Sequence, residues 1–234
     1  MEQRAVSYQS GGSECRGQFL FEGKEARPTV LVFHDWTGVA DFALDSGRKL
    51  VEQGYNAFVA DMYGEARTGS TKEEKGALMT PLMEDRGLLK ERVIGALKAA
   101  EKQAECDSGR LGAVGFCLGG LCVLDLARSG ADLAGVVSFH GLLGAPNTPP
   151  QDIKAKVLVL HGHDDPMVPP DHVLQFQKEM TEAGVDWQVH SYGQTTHAFA
   201  NPAANDASFG TVYSERSASR AWKSALDFLG ETLA

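Results

Sequence analysis

The hexapeptide Gly-Phe-Cys-Leu-Gly-Gly at 115–120 sets a cysteine between glycines, directly after an apolar run and directly before an amphipathic one. In a strand–turn–helix setting, Gly115, Cys117 and Gly119 match the nucleophile elbow, G-x-S-x-G with sulfur in place of the hydroxyl. Glycines are needed there because the turn is strained and the strand and helix approach closely. A thiol at the helix start also meets the partial positive charge of that terminus, which favours its thiolate. The same hexapeptide would suit a plain tight turn with a buried cysteine, so the chemistry depends on partners elsewhere in the chain.

Two such partners follow in order. After KVLVL (156–160) comes HGHDDPMVP, which places Asp164 and Asp165 in a loop at the carboxyl end of a strand, where open α/β sheets hold their sites. After WQVHSY comes GQTTHAF, with His197 in a loop. Nucleophile, acid, histidine is the chain order of α/β-hydrolases, unlike that of the best-known serine protease folds. The run His161-Gly-His163-Asp164-Asp165 also resembles the opening of a zinc motif. That motif continues with a histidine where Pro166 stands, and no second ligand cluster follows at a plausible spacing. No metal and no cofactor are therefore expected. His34, His140 and His161 end apolar strands and read as polar caps at strand ends.

Elements that could position these residues are legible along the chain. The runs TVLVF (29–33), YNAFVA (55–60), LGAVGF (111–116), GVVSFH (135–140), KVLVL (156–160) and VDWQVHSY (185–192) are mostly apolar throughout, as strands covered on both faces should be. Helices are expected near 41–53, 82–105, 118–129, 171–183 and 214–229. This alternation predicts an α/β fold, a mostly parallel central sheet with helices on both faces. The segment SYQSGGSECRGQFLFEG reads as an antiparallel hairpin at the sheet edge, and 141–152 as the longest loop. No linker divides the chain, so one domain spanning 1–234 is expected.

With 234 residues, 43% hydrophobic and 23% charged, the composition is that of an ordinary globular domain with a sizeable core. The net charge of −9 without a Lys/Arg cluster argues against nucleic acid, whose binding rests on neutralising phosphates. No run of about 18 apolar residues exists, and the start MEQRAVSYQSGGSE has no apolar core, so a cytoplasmic protein without membrane contact is expected. Cys15, Cys106, Cys117 and Cys122 are too sparse for a disulfide scaffold.

From about 28 to 229 the chain resembles the dienelactone hydrolases, a cysteine-nucleophile branch of the α/β-hydrolases. HDWTGV, QGYNAFVADMYG, GFCLGG, the D-x-x-V-P of Asp165 to Pro169, and HAF carry the resemblance. It implies Cys117 as nucleophile, His197 as base and Asp165 as orienting acid. Asp165 is preferred to Asp164 because it precedes x-x-Val168-Pro169; Asp164 reads as a loop cap. Backbone N–H groups of Leu118 and Trp36 would form the oxyanion hole. The implied substrates are small esters or lactones. Phosphotriesters at the same cysteine, or a catalytically silent scaffold binding a small ligand, are the alternatives. Family members specialised for dienelactones carry an arginine four residues after the histidine, where this chain has Asn201. Arg86 is the candidate for a second family arginine. Where members usually have a glutamate that interacts with the resting cysteine, Asp35 stands here, one methylene shorter. Trp36, Tyr63 and Phe199 are expected to line an apolar pocket, and Cys122 to be buried against the sheet.

Overall fold

A computed structural model of the chain describes residues 1–147 and 152–234. Apolar runs become strands because a parallel sheet covered on both faces has no wet side to alternate with. Eight strands form one sheet: β1 (Glu2–Ser10), β2 (Ser13–Phe21), β3 (Arg27–Phe33), β4 (Asn56–Ala60), β5 (Cys106–Phe116), β6 (Gly135–Phe139), β7 (Lys156–Gly162) and β8 (Trp187–Tyr192). Their spatial order is β1-β2-β4-β3-β5-β6-β7-β8. The β1–β2 hairpin and its pairing with β4 are antiparallel, and every pairing from β4 to β8 is parallel. The edge hairpin is thus where the sequence puts it, and longer than SYQSGGSECRGQFLFEG suggests.

Helices cover both faces. One core layer joins the sheet to α1 (Asp41–Glu52) and α6 (Glu215–Thr232) through Leu50, Val51, Trp222 and Phe228. The other joins it to α3 (Arg86–Glu101), α4 (Leu118–Arg128) and α5 (Pro170–Glu182) through Leu89, Val93, Leu121 and Phe176.

One helix was not expected. In place of a single segment over 82–105 the chain forms α2 (Lys72–Glu84) and then α3. Asp85 separates them: its N–H donates to Pro81 O, and its carboxylate caps α3 by accepting from Leu88 N at 3.0 Å. Thr71 and Glu74 form a capping box that starts α2. Of the loop expected over 141–152, residues 148–151 lie outside the described residues.

Candidate active site

Strand β5 runs straight into α4, and Cys117 occupies the corner with φ 54° and ψ −112°. An L-residue is strained there, so the surroundings must hold it. Cys117 N donates to Phe139 O at 3.1 Å, tying the corner to β6. Both flanking glycines are obligatory. A Cβ on Gly115 would lie 1.9 Å from Gly119 O, and one on Gly119 would lie 2.0 Å from Phe33 O.

The loop after β7 buries Asp165, whose Oδ1 accepts from Met167 N at 2.8 Å. Its Oδ2 lies 2.7 Å from His197 Nδ1. That contact puts a proton on Nδ1 and leaves Nε2 as the ring nitrogen not engaged by Asp165. Asp164 instead accepts from Thr195 N at 3.1 Å, the loop cap expected of it. Nε2 of His197 is buried with no aligned hydrogen-bond partner among the described residues, so Cys117 acts on the ring mainly through charge. Burial opposes a charged imidazole, but Cys117 and Asp165 outweigh it and raise the pKa to about 10.

Cys117 and His197 face one cavity of about 450 Å³, a size suited to a small ligand. Asp35 and Trp36 form another wall. A larger open groove of about 870 Å³ between α1 and α6 contains neither Cys117 nor His197, so size does not define the site. The Leu118 N–H, first of α4, has no intrahelical acceptor, and neither it nor Trp36 N–H has another partner among the described residues. Both are free to meet a substrate oxygen.

Asp35 is buried, and both its carboxylate oxygens are engaged. Oδ1 accepts from Thr37 N at 2.9 Å and Oδ2 from Asn201 Nδ2 at 3.1 Å. Among the described residues it makes no hydrogen bond to Cys117.

Three expectations are corrected. Phe199 does not line the cavity: the turn at Ala198, φ 56°, sends its ring into the core against His140 and Tyr192. Arg86 stands outside the cavity because its guanidinium is spent on Asp125, at 2.7 and 2.6 Å, and on Gly144 O. Tyr63 lies beneath the Trp36 loop, where its hydroxyl donates to Trp36 O at 3.0 Å. His34 does cap a strand end, through two backbone contacts. His140 is buried with neither ring nitrogen partnered among the described residues, and burial holds its pKa well below the usual value. Cys122 is fully buried in α4.

Residues from α2 were missed by the sequence. Lys72 and Lys75 line the cavity, Lys72 paired with Asp206 and Lys75 lying 5.5 Å from the Trp36 ring centre. Phe209 stacks on Trp36 at 5.6 Å and 12°. The Thr71-x-x-Glu74 capping box could have revealed the helix, though not its place over the site.

The parallel sheet, with its site at the carboxyl ends of β5 and β7 and in the loop after β8, is that of an α/β-hydrolase. Within that class the chain belongs to the dienelactone hydrolase family, whose family profile matches residues 17–233. It is accordingly a hydrolase of the ester and lactone class. The crystal structure of a dienelactone hydrolase-like promiscuous phosphotriesterase from metagenomic libraries superposes with a TM-score of 0.95 at 32% identity, covering 100% of this chain and 99% of that one. A protein of Aquifex aeolicus named "Putative carboxymethylenebutenolidase" is 29% identical over 230 residues, 95% of this chain and 96% of that protein. The dienelactone hydrolase of Anabaena variabilis shares the fold, with a TM-score of 0.70 at 18% identity over 100% of this chain and 99% of that one. Among the described residues no helix is long and apolar enough to cross a membrane.

Proposed function

We propose that this chain hydrolyses small esters or lactones through a Cys117-His197-Asp165 triad and a covalent thioester. The observation that carries this is the convergence of Cys117 and His197 on one cavity, with Asp165 holding His197 Nδ1 at 2.7 Å. The Cys117 thiolate adds to the carbonyl carbon, and the oxygen takes the negative charge opposite the N–H groups of Leu118 and Trp36. The tetrahedral adduct collapses with cleavage of the bond to the leaving oxygen, which takes the Nε2 proton of His197. Water then gives a proton to Nε2 and attacks the thioester carbonyl, releasing the acid and restoring the thiolate. Asp165 keeps the imidazole oriented and stabilises its charged form throughout.

A second substrate class is supported by the 32% identity and near-complete superposition with a promiscuous phosphotriesterase. A thiolate beside two N–H donors can also add to phosphorus, with the phosphoryl oxygen in place of the carbonyl oxygen. Single-domain organisation over 1–234 and a cytoplasmic setting, where four unpaired cysteines stay reduced, complete the proposal.

The test is Cys117→Ala with aryl esters, lactones and phosphotriesters. Turnover should vanish on all of them while the melting transition stays cooperative. A burst of phenol from wild-type enzyme would separate an enzyme from a silent scaffold. Wild-type rates in the variant would refute the assignment.

A further inference from the structure

The loop from His34 to Thr37 is held by several hydrogen bonds, and among the described residues none of them uses the Trp36 N–H. His34 Nδ1 lies 2.6 Å from Asp35 O, Tyr63 Oη donates to Trp36 O at 3.0 Å, and Thr37 N donates to Asp35 Oδ1 at 2.9 Å. His34 can take only one tautomer here. Met62 N donates to its Nε2 at 3.2 Å, so Nε2 is the acceptor and the proton sits on Nδ1, pointing at the Asp35 carbonyl. Burial lowers the pKa of this ring, in keeping with the neutral form. The ring is wholly buried and packs on Tyr63 with centroids 4.7 Å apart.

A trans peptide is planar, with its C=O and N–H pointing in opposite directions. The carbonyl of the Asp35–Trp36 peptide is drawn inward to His34 at 2.6 Å, with a longer contact from Gly38 N at 3.4 Å. The N–H of that same peptide, Trp36 N–H, must then point outward, to the side where Trp36 and Cys117 line the cavity. Tyr63 fixes the next peptide through its carbonyl, so the loop cannot rotate about Trp36 without breaking one contact or the other.

We propose that His34 and Tyr63 are positioning residues for the oxyanion hole: they hold the two peptides flanking Trp36 so that its N–H faces the oxygen of a substrate attacked by Cys117. This rests on the triad assignment above. Neither residue touches substrate. Their contribution is to spare the reaction the reorganisation of a donor at the moment charge develops.

The experiment compares His34→Phe, His34→Asn and Tyr63→Phe with wild type in ester turnover and in alkylation of Cys117 by iodoacetamide. Alkylation displaces iodide at a saturated carbon and forms no oxyanion, so it reports the thiolate alone. His34→Phe keeps an aromatic ring and loses the donor, and kcat should fall about 100-fold, the scale of losing one oxyanion donor, with KM changed little. His34→Asn restores an N–H close to the Nδ1 position and should recover most of kcat. Tyr63→Phe should lose about tenfold in kcat. Labelling of Cys117 should stay within about twofold of wild type in all three. Turnover within threefold of wild type in both His34→Phe and Tyr63→Phe would overturn the proposal. So would labelling that falls in step with turnover, since the residues would then act on the nucleophile or the fold. If His34→Phe does not fold, Tyr63→Phe decides by the same two readouts. Full turnover in Cys117→Ala would instead remove the triad assignment itself, a different outcome from labelled Cys117 with undiminished turnover.

Discussion

Asn201 Nδ2 donates to Asp35 Oδ2 at 3.1 Å, joining residues 166 positions apart. The resemblance to the dienelactone hydrolases implies a longer side chain at each position: the glutamate that members usually have at 35, and at 201 the arginine of members specialised for dienelactones. The two departures are therefore a pair: a short acid satisfied by a short amide, in the wall of the cavity that Cys117 faces. With an arginine at 201 the cavity would offer a cation to a substrate carboxylate. The amide offers none, which leaves Lys75 and the Asp206-paired Lys72 as the lysines lining the cavity.

That pairing predicts a preference for neutral esters over carboxylated analogues. Losing a charge-assisted contact costs about 2 kcal/mol or more, roughly 30-fold in kcat/KM. The measurement is kcat/KM for a neutral aryl ester against the same ester bearing a carboxylate. A clear preference for the anionic ester would contradict the expectation and point to Lys75, the cavity-lining lysine that lies over Trp36. Arg86 is held by Asp125 outside the cavity and is not available for that role.

A second expectation concerns the charge of Asp35. Cys117 should react more slowly with anionic iodoacetate than with neutral iodoacetamide, because Asp35 shares its cavity. Asp35→Asn should raise the iodoacetate-to-iodoacetamide rate ratio about fivefold, the effect of about 1 kcal/mol of like-charge repulsion. An unchanged ratio would leave Asp35 as a support of the Trp36 loop through Thr37 N and nothing more.

The elbow glycines give a stability prediction. Gly115→Ala and Gly119→Ala each drive a methyl into backbone atoms at 2.0 Å or less, Gly119 O in α4 for the first and Phe33 O at the end of β3 for the second. Such a clash has no flexible side chain to absorb it. Each variant should lose more than about 3 kcal/mol in chemical denaturation or fail to accumulate as folded protein. A loss below about 1 kcal/mol would mean that β5 and α4 can separate, and the strained corner at Cys117 would lose its explanation.

Much of this architecture was legible because buried parallel strands read as continuous apolar runs and because the elbow needs glycines at fixed positions. What escaped depends on contacts distant in sequence. Helix α2 was hidden by Gly76 and Pro81, which break its pattern although Pro81 is accommodated within the helix. The core position of Phe199 follows from one left-handed residue, Ala198, that no periodicity announces. Arg86 is indistinguishable in sequence from a free surface cation until Asp125, on another helix, is seen to occupy it. The Asp35–Asn201 contact likewise exists only once the loop after β3 and the loop after β8 meet.

The raised pKa of His197 sets the last prediction. A histidine whose folded pKa, about 10, exceeds the ordinary value near 6.5 binds its proton more tightly in the native state than in the unfolded chain. Its contribution is therefore fully present below about pH 6.5 and is lost as pH rises through about 10. Over that window the unfolding free energy should fall by up to about 1.4 kcal/mol per pH unit from this group. Other buried groups also lose stability on the alkaline side, since burial raises the pKa of Tyr8 and Tyr63. The informative quantity is thus the difference between wild type and His197→Gln, which keeps those tyrosines and removes the imidazole. Urea denaturation at intervals from pH 6 to 10 should show the two free energies converging as pH rises. Parallel curves across that range would show that folding adds no net proton at the Cys117–His197–Asp165 site.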